Sequence, residues 1–218
     1  MCCPATIRHA STDKMILNTL QRVIQHVYEI DLAPRVADFT TSDAGFARRY
    51  GSDHQPMEQL IFREDGEDVD VSLYLDQRVV SALDCLHAGR IPLDMVCLAV
   101  EGVSHFVHFC WRSEYKIDVS LLELEIQAEV DKYVLLTDLY GEEGMHRRLF
   151  ERHLYQGGMN RRLRERYRSA NRFAAKYCRK LERDFIQYGK TEAMLNELRR
   201  FCRKTQREKI YAIERGVG

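Results

Sequence analysis

Hydrophobic residues recur every three or four positions from Gln77 almost to the end of this 218-residue chain, a spacing that predicts amphipathic α-helices. Short breaks rich in Gly, Pro or polar residues separate the helical stretches. The predicted helices cover about 77–88, 92–112, 119–140, 143–155, 160–188 and 191–214. Because short connections make consecutive helices antiparallel neighbours, this pattern predicts a helical bundle.

The first third of the chain has a different pattern. Helical spacing predicts a first helix over Asp13–Tyr28, and the sequence RVADFT after Pro34 suggests a short strand. MEQLIFRE and the alternating VDVSLYLD, joined by the acidic DGED turn, predict a β-hairpin at about 57–76. We therefore expect an α+β fold that is predominantly α. Its predicted parts are a small module with a short antiparallel sheet (1–76) and a helical bundle (77–218) whose C-terminal helices, from about residue 145, are basic.

Three features predict a cytoplasmic protein that does not contact a membrane. No apolar run reaches the roughly 18 residues of a membrane span, because Asp94, Glu101 and two His interrupt the most apolar segment. The N-terminus lacks the apolar stretch of a signal peptide. The seven Cys are odd in number and include no Cys-x-x-Cys, which favours reduced thiols over a disulfide framework or a zinc ribbon.

The formal net charge of zero conceals a strong asymmetry along the chain. Residues 1–144 hold 12 Lys and Arg against 25 Asp and Glu, whereas residues 145–218 hold 21 against 8. The two parts therefore carry net charges of 12 − 25 = −13 and 21 − 8 = +13. Such asymmetry predicts either an anionic partner for the basic part or docking of the two parts on each other.

A polar stripe runs along the most apolar predicted helix, in the sequence EGVSHFVHFCW. At about 100° per residue, Glu101, His105 and His108 fall within a sector of roughly 60°, and Asp94 and Arg112 project into the same sector. A helix that is apolar around most of its circumference is usually buried inside a bundle. The stripe therefore faces either solvent or a polar cavity between helices. His108 is expected to lie farther from any site than His105.

The next helix carries two polar stripes, and one of them can face Glu101 and His105 across the bundle. One stripe comprises Glu125, Glu129 and Lys132, and the opposite one Gln127, Asp131 and Asp138. Three roles remain open for Glu101 and His105. They are hydrogen-bonded structural residues, including members of a buried ion pair, or they bind ligand or catalyse without metal, or they hold a metal ion.

The polar stripes define the candidate site. The predicted catalytic residues are Glu101, His105, Glu129 and Lys132, and the predicted metal ligands are Glu101, His105, Glu125 and Glu129. Imidazole and carboxylate ligands suit divalent Fe, Mn or Zn, which are the predicted cofactors. The spacing completes no known motif, since Glu-x-x-x-His occurs where ferritin-like bundles use Glu-x-x-His, and His-Glu-x-x-His is absent.

Arginine dominates the outward surface of the basic C-terminal helices. Guanidinium groups match phosphate oxygens bidentately, so these helices predict binding of an anionic ligand. The predicted ligand-binding residues are Arg161, Arg162, Arg166, Arg172, Lys176 and Arg179. Nucleic acid, an acidic protein partner and self-association through charge complementarity are further predicted partners. The alternative is a solvated surface whose charges largely compensate one another.

Two functions follow from these features. In the first, a carboxylate and His site inside the bundle binds or acts on an anionic, phosphate-bearing ligand, with or without the assistance of a metal ion. In the second, the protein is a non-catalytic adaptor or regulator that uses its basic helices to bind nucleic acid or an acidic protein. The sequence leaves the substrate, the reaction and the oligomeric state open.

Overall fold

The computed structural model describes residues 12–52, 56–66, 68–84, 92–141, 144–151 and 160–216. The described chain is mostly helical with one small sheet, which confirms the predicted α+β, predominantly α fold. The first elements are α1 (Thr12–Tyr28), α2 (Val36–Phe39), β1 (Thr40–Thr41), α3 (Ala44–Tyr50), β2 (Glu58–Asp65), β3 (Asp68–Leu75) and α4 (Gln77–Asp84). The bundle then continues with α5 (Leu93–Glu114), α6 (Leu121–Tyr140), α7 (Met145–Phe150), α8 (Arg161–Asp184), α9 (Thr191–Cys202) and α10 (Gln206–Arg215).

The sheet has three strands in the order β1-β3-β2. The predicted hairpin is present, with β2 antiparallel to β3 and Phe62 opposite Val71. The strand predicted for RVADFT is wrong over most of its length, because Val36–Phe39 is a short helix. Only the following two residues form β1, which pairs in parallel with β3. The sheet is therefore mixed rather than antiparallel, because β1 runs parallel to β3 while β2 runs antiparallel to it.

Helix α5 is the centre of the molecule. It packs against α1, α4, α6 and both strands of the hairpin, and every residue from Gly102 to Phe109 is buried. Among the described helices it is the one with the length and apolarity of a membrane span, but 61% of its apolar window is buried inside the protein. This burial is typical of a core helix in a soluble protein. A cytoplasmic location stays a prediction.

Helices α6 and α8 form the other half of the bundle. The predicted seam of α8 is buried, including Leu163, Ala170 and Tyr177. Ala170 and Ala174 at the contact face allow α6 to approach α8 closely. Helix α6 is buried on nearly all sides, and its buried residues include charged ones such as Glu125 and Lys132. A charged side chain in such a place needs a partner, and those partners build the site described below.

Several predicted helix boundaries differ from the structure. The predicted last helix at 191–214 is two helices, because the chain turns between Cys202 and Gln206. Thr205 and Glu208 form a capping box there, in which each side chain bonds the backbone N–H of the other residue. A 3-10 turn at Ile186–Tyr188 follows α8 within the predicted 160–188 helix. The predicted residues 85–88 and 152–155 lie outside the described part of the chain.

One hydrophobic core extends through the described chain. Leu17 and Ile24 of α1, Leu73 of β3, Phe106 of α5 and Ile213 of α10 all belong to it. The sheet therefore packs directly on the bundle and brings one end of β2 against the middle of α5. The predicted division near residue 77 stays a prediction.

Candidate metal centre

His105 lies between two carboxylates at the centre of the site. Its Nδ1 donates to Glu58 Oε1 at 3.2 Å, and its Nε2 is 3.6 Å from Glu125 Oε2. The His105 side chain is 8% exposed and the Glu58 side chain 4% exposed. Three different elements supply these groups, since Glu58 begins β2, His105 lies in the middle of α5 and Glu125 is on α6.

Gly102 allows β2 and β3 to reach this part of α5. A Cβ atom at position 102 would lie 2.9 Å from Leu73 Cδ1 and 3.1 Å from Glu58 Cγ. Both distances are shorter than ordinary van der Waals contacts, so a side chain here would push the hairpin away from the helix. The absence of a side chain at Gly102 thus places Glu58 within hydrogen-bond distance of His105.

A second ion cluster adjoins the first. The Lys132 ammonium donates to Glu101 Oε2 and to Glu129 Oε1, both at 2.9 Å. All three side chains are largely buried. The ammonium therefore neutralises one of the two carboxylates, and Glu101 connects the cluster to His105 one helical turn farther along α5.

The pKa values follow from these contacts. Burial alone would lower the pKa of His105, but Glu58 and Glu125 outweigh it and raise this pKa well above its usual value. Burial would likewise lower the pKa of Lys132, yet Glu101 and Glu129 raise it. The pKa of Glu101 falls because Lys132 and His105 outweigh its burial. Burial raises the pKa of Glu58 and Glu129 despite their cationic partners. The carboxylates around His105 and Lys132 thus favour the protonated forms of both side chains.

The geometry around His105 suits a metal ion. One oxygen each of Glu101 and Glu125 and one ring nitrogen of His105 lie within 4.8 Å of one another. His105 Nε2 is buried and has no hydrogen-bond partner in the described structure. Metal–ligand bonds of roughly 2.0–2.2 Å place neighbouring ligand atoms roughly 3–3.5 Å apart. Small side-chain rotations would therefore have to bring the three ligand atoms closer together than the present 4.8 Å. Glu58 accepts the hydrogen bond from His105 Nδ1. Metal-binding histidines commonly donate their other ring N–H to a carboxylate in this way.

The cluster lies at the wall of a cavity of about 590 Å³. Glu58, His105 and Glu125 line one part of it, and Arg162 and Arg166 line another. Apolar and aromatic residues also line the cavity, among them Tyr50, Leu60, Phe62, Leu121, Leu124 and Tyr167. A volume of this size is typical of sites for small molecules. The polar stripe of α5 therefore faces a cavity at His105 rather than bulk solvent.

The predicted site residues are only partly brought together. Glu101, His105, Glu125, Glu129 and Lys132 form one continuous cluster, as the facing stripes of α5 and α6 predict. Asp94, which projects into the same sector, is exposed and does not take part. Glu129 pairs with Lys132 and is not one of the three side chains whose ligand atoms lie close together, which are Glu101, His105 and Glu125.

The predicted anion-binding residues divide into two groups. Arg162 and Arg166 line the cavity, and Arg166 Nε is 3.4 Å from Glu125 Oε1. The cavity lining does not include Arg161, Arg172, Lys176 or Arg179. Of these, Arg161 pairs with Glu165 and Lys176 with Glu214 on the surface. Part of the basic charge is thus compensated within the C-terminal helices, and binding of nucleic acid or an acidic protein stays a prediction.

His108 belongs to a separate buried network and does not line the cavity, whereas His105 does. Its Nε2 donates to Asp131 Oδ2 at 2.9 Å, and its Nδ1 is 3.6 Å from Cys202 Sγ. Ser104 and Tyr28 also donate to Asp131. Asp131 and Cys202 raise the pKa of His108 to about 9 against the opposing effect of burial. Gln127 and Asp131 of the second stripe of α6 therefore lie in the core, away from the cavity, whereas Asp138 is exposed.

Sequence patterns did not identify every residue of the site. Glu58, Tyr167 and Asn160 line the cavity and were not singled out. Glu58 is 47 positions from His105, so no local spacing relates the two. Tyr167 fits the hydrophobic seam of α8, and Asn160 is recognisable only as a helix cap.

Known proteins offer no identification. No family model matches the chain, and no curated protein or solved structure is significantly similar to it. The function therefore has to be argued from the geometry.

Proposed function

We propose that the protein binds one divalent transition-metal ion through Glu101, His105 and Glu125 and uses it to bind and polarise a small molecule in the adjoining cavity. The observation that carries this proposal is the buried His105 Nε2, which has no hydrogen-bond partner in the described chain and lies beside two carboxylates at a cavity wall. One imidazole and two carboxylates favour Fe, Mn or Zn.

Three protein ligands leave coordination positions for a ligand or water. Structural zinc sites are closed by four protein ligands, whereas catalytic sites keep such a position open. A bound divalent ion would supply Lewis-acid polarisation of a ligand oxygen. Glu58 would hold the His105 ring in the orientation that directs Nε2 at the ion, and Lys132 would limit the negative charge of the group by neutralising Glu101 or Glu129.

Metal content and calorimetric titration test the proposal. Protein purified without chelator, or reloaded with Mn²⁺, Co²⁺ or Zn²⁺, should hold about one ion per chain. His105→Gln and Glu125→Gln should each weaken binding at least tenfold. Glu114→Gln is a matched control, because Glu114 is an exposed residue at the end of the same helix as His105.

Two results would contradict the metal site. One is metal content at background level after reloading. The other is an affinity that His105→Gln and Glu125→Gln leave unchanged while both variants remain folded. In either case the cluster would be a buried ion-pair network that stabilises the fold.

A further inference from the structure

The start of α8 faces the cavity, together with two arginines. Asn160, Arg162, Leu163 and Arg166 all line it. The helix has 24 residues, and its N-terminal N–H groups carry partial positive charge. The Asn160 side chain accepts from the N–H of Leu163. Helix N-termini flanked by arginine are sites where proteins hold phosphate and carboxylate oxygens.

A second feature of the same cavity indicates a missing acceptor. Arg166 Nε is buried and makes no hydrogen bond to any described residue, although it lies 3.4 Å from Glu125 Oε1. His105 Nε2, in a side chain that is more than nine-tenths buried, is likewise without a partner. The N–H of Arg166 Nε therefore lacks an acceptor in the described chain, which is costly for a buried group, whereas His105 Nε2 is the position that the metal ion takes.

In the absence of metal, the carboxylates that line the cavity repel an anionic ligand. Glu58 and Glu125 line the same space as Arg162 and Arg166, so anionic and cationic side chains largely cancel there. A divalent ion held by Glu101, His105 and Glu125 adds positive charge at this wall. An anionic group would then contact positive charge on both sides, from the ion and from the start of α8.

We propose that the cavity binds a small molecule with a terminal phosphate or carboxylate group, held between the metal ion and the Arg162–Arg166 edge of α8, and that the metal binds first. This inference rests on the proposed metal site and adds the ligand class and the order of binding. The apolar walls contributed by Leu60, Leu121 and Leu124 contact the rest of the ligand. The cavity of about 590 Å³ limits it to the size of a metabolite.

Anion titrations into full-length protein with and without Co²⁺ test this inference. Inorganic phosphate and oxalate serve as separate probes of the two ligand sources, and the visible absorption of bound Co²⁺ reports entry of the anion into its coordination sphere. We expect at least one probe to bind Co²⁺-loaded protein at least tenfold more tightly than metal-free protein. The preferred probe identifies the terminal group.

Arg162→Gln should weaken anion binding about tenfold and leave the Co²⁺ affinity unchanged, because Arg162 lines the cavity and is exposed. Arg179→Gln is the matched control, since Arg179 is exposed on the same helix and does not line the cavity. Co²⁺ binding without metal-dependent anion binding overturns this inference and leaves the metal site standing. Equal effects of Arg162→Gln and Arg179→Gln also overturn it. Failure of Co²⁺ to bind overturns both proposals.

Discussion

Glu58 Oε1 accepts a hydrogen bond from His105 Nδ1 at 3.2 Å, across 47 positions of sequence and between a strand and a helix. Both side chains are buried, so the pair is shielded from solvent. The contact determines which ring nitrogen of His105 points toward Glu101 and Glu125. It also makes Glu58 the residue through which the sheet influences the chemistry of the bundle.

Glu58→Gln should weaken metal binding without unfolding the protein. Glutamine keeps an acceptor for His105 Nδ1 but removes the negative charge that makes the ring a better ligand. We expect a loss of affinity of about 10- to 100-fold in calorimetric titrations. Glu165→Gln, which removes an exposed partner of Arg161, should have no effect on affinity. Equal affinities of Glu58→Gln and wild type would show that Glu58 does not support the metal ligand.

Gly102→Ala should destabilise the protein although alanine favours helix formation. Helix propensity alone predicts a gain of about 1 kcal/mol from this change. The added Cβ would lie 2.9 Å from Leu73 Cδ1 and 3.1 Å from Glu58 Cγ, so the hairpin has to shift. We expect a net loss of about 1–3 kcal/mol in the free energy of unfolding, measured by urea denaturation. A more stable variant would mean that the hairpin adapts without strain.

Lys132→Met should be strongly destabilising, because it leaves Glu101 and Glu129 buried without their shared cation. Removing one partner of a buried ion pair costs about 3–5 kcal/mol. Divalent metal should recover part of this loss by occupying the position of the ammonium, so the metal content should rise from one ion toward two. Lys176→Met, which breaks a half-exposed pair with Glu214, should cost less than about 1 kcal/mol. Similar losses in the two variants would contradict the prediction.

Stability should fall as the pH rises from about 6.5 to 9. The folded protein retains the His108 proton up to a pKa of about 9, whereas the unfolded chain releases it near 6.5. A group whose pKa is raised on folding contributes its full stabilisation below the pKa of the unfolded chain. This stabilisation is lost as the pH rises to the pKa of the folded state. One retained proton gives a slope of up to about −1.4 kcal/mol per pH unit. His105, whose pKa is also raised, adds to the same slope.

The variant His108→Gln distinguishes the contribution of His108 to this pH dependence from that of His105. Between pH 6.5 and 8 the variant should make the slope shallower by up to about 1.4 kcal/mol per pH unit, which is the contribution of one proton. The cysteine thiols of the unfolded chain ionise above this range. The measurement is the free energy of unfolding at several pH values. A slope that is identical in wild type and His108→Gln would show that the Asp131 contact does not hold a proton on His108.

The sequence predicted the contacts between α5 and α6 well. Helical spacing placed Glu101 and His105 on one stripe of α5 and offered Glu125 and Lys132 on the next helix, and the structure joins these residues. Spacing works here because consecutive antiparallel helices face each other through fixed periodic positions.

The rest of the site depends on contacts that no local pattern encodes. Glu58 reaches His105 through a strand packed on α5, and that approach depends on the missing side chain of Gly102. The role of His108 depends on the rotation of α5 relative to α6, because a few tens of degrees decide which network a residue joins. The break before α10 was detectable, since Thr205 and Glu208 have the spacing of a capping box.

The wide spacing of the cavity residues along the chain has a consequence for synthesis in the cell. The lining begins at Tyr50 and ends at Tyr167. A nascent chain therefore exposes the acidic side chains of β2, α5 and α6 before the arginines of α8 have left the ribosome. During this interval the carboxylates lack both the cavity and its guanidinium groups. The proposed metal ligands are therefore all synthesised before the arginines of α8, so the anion-binding side of the cavity is completed last.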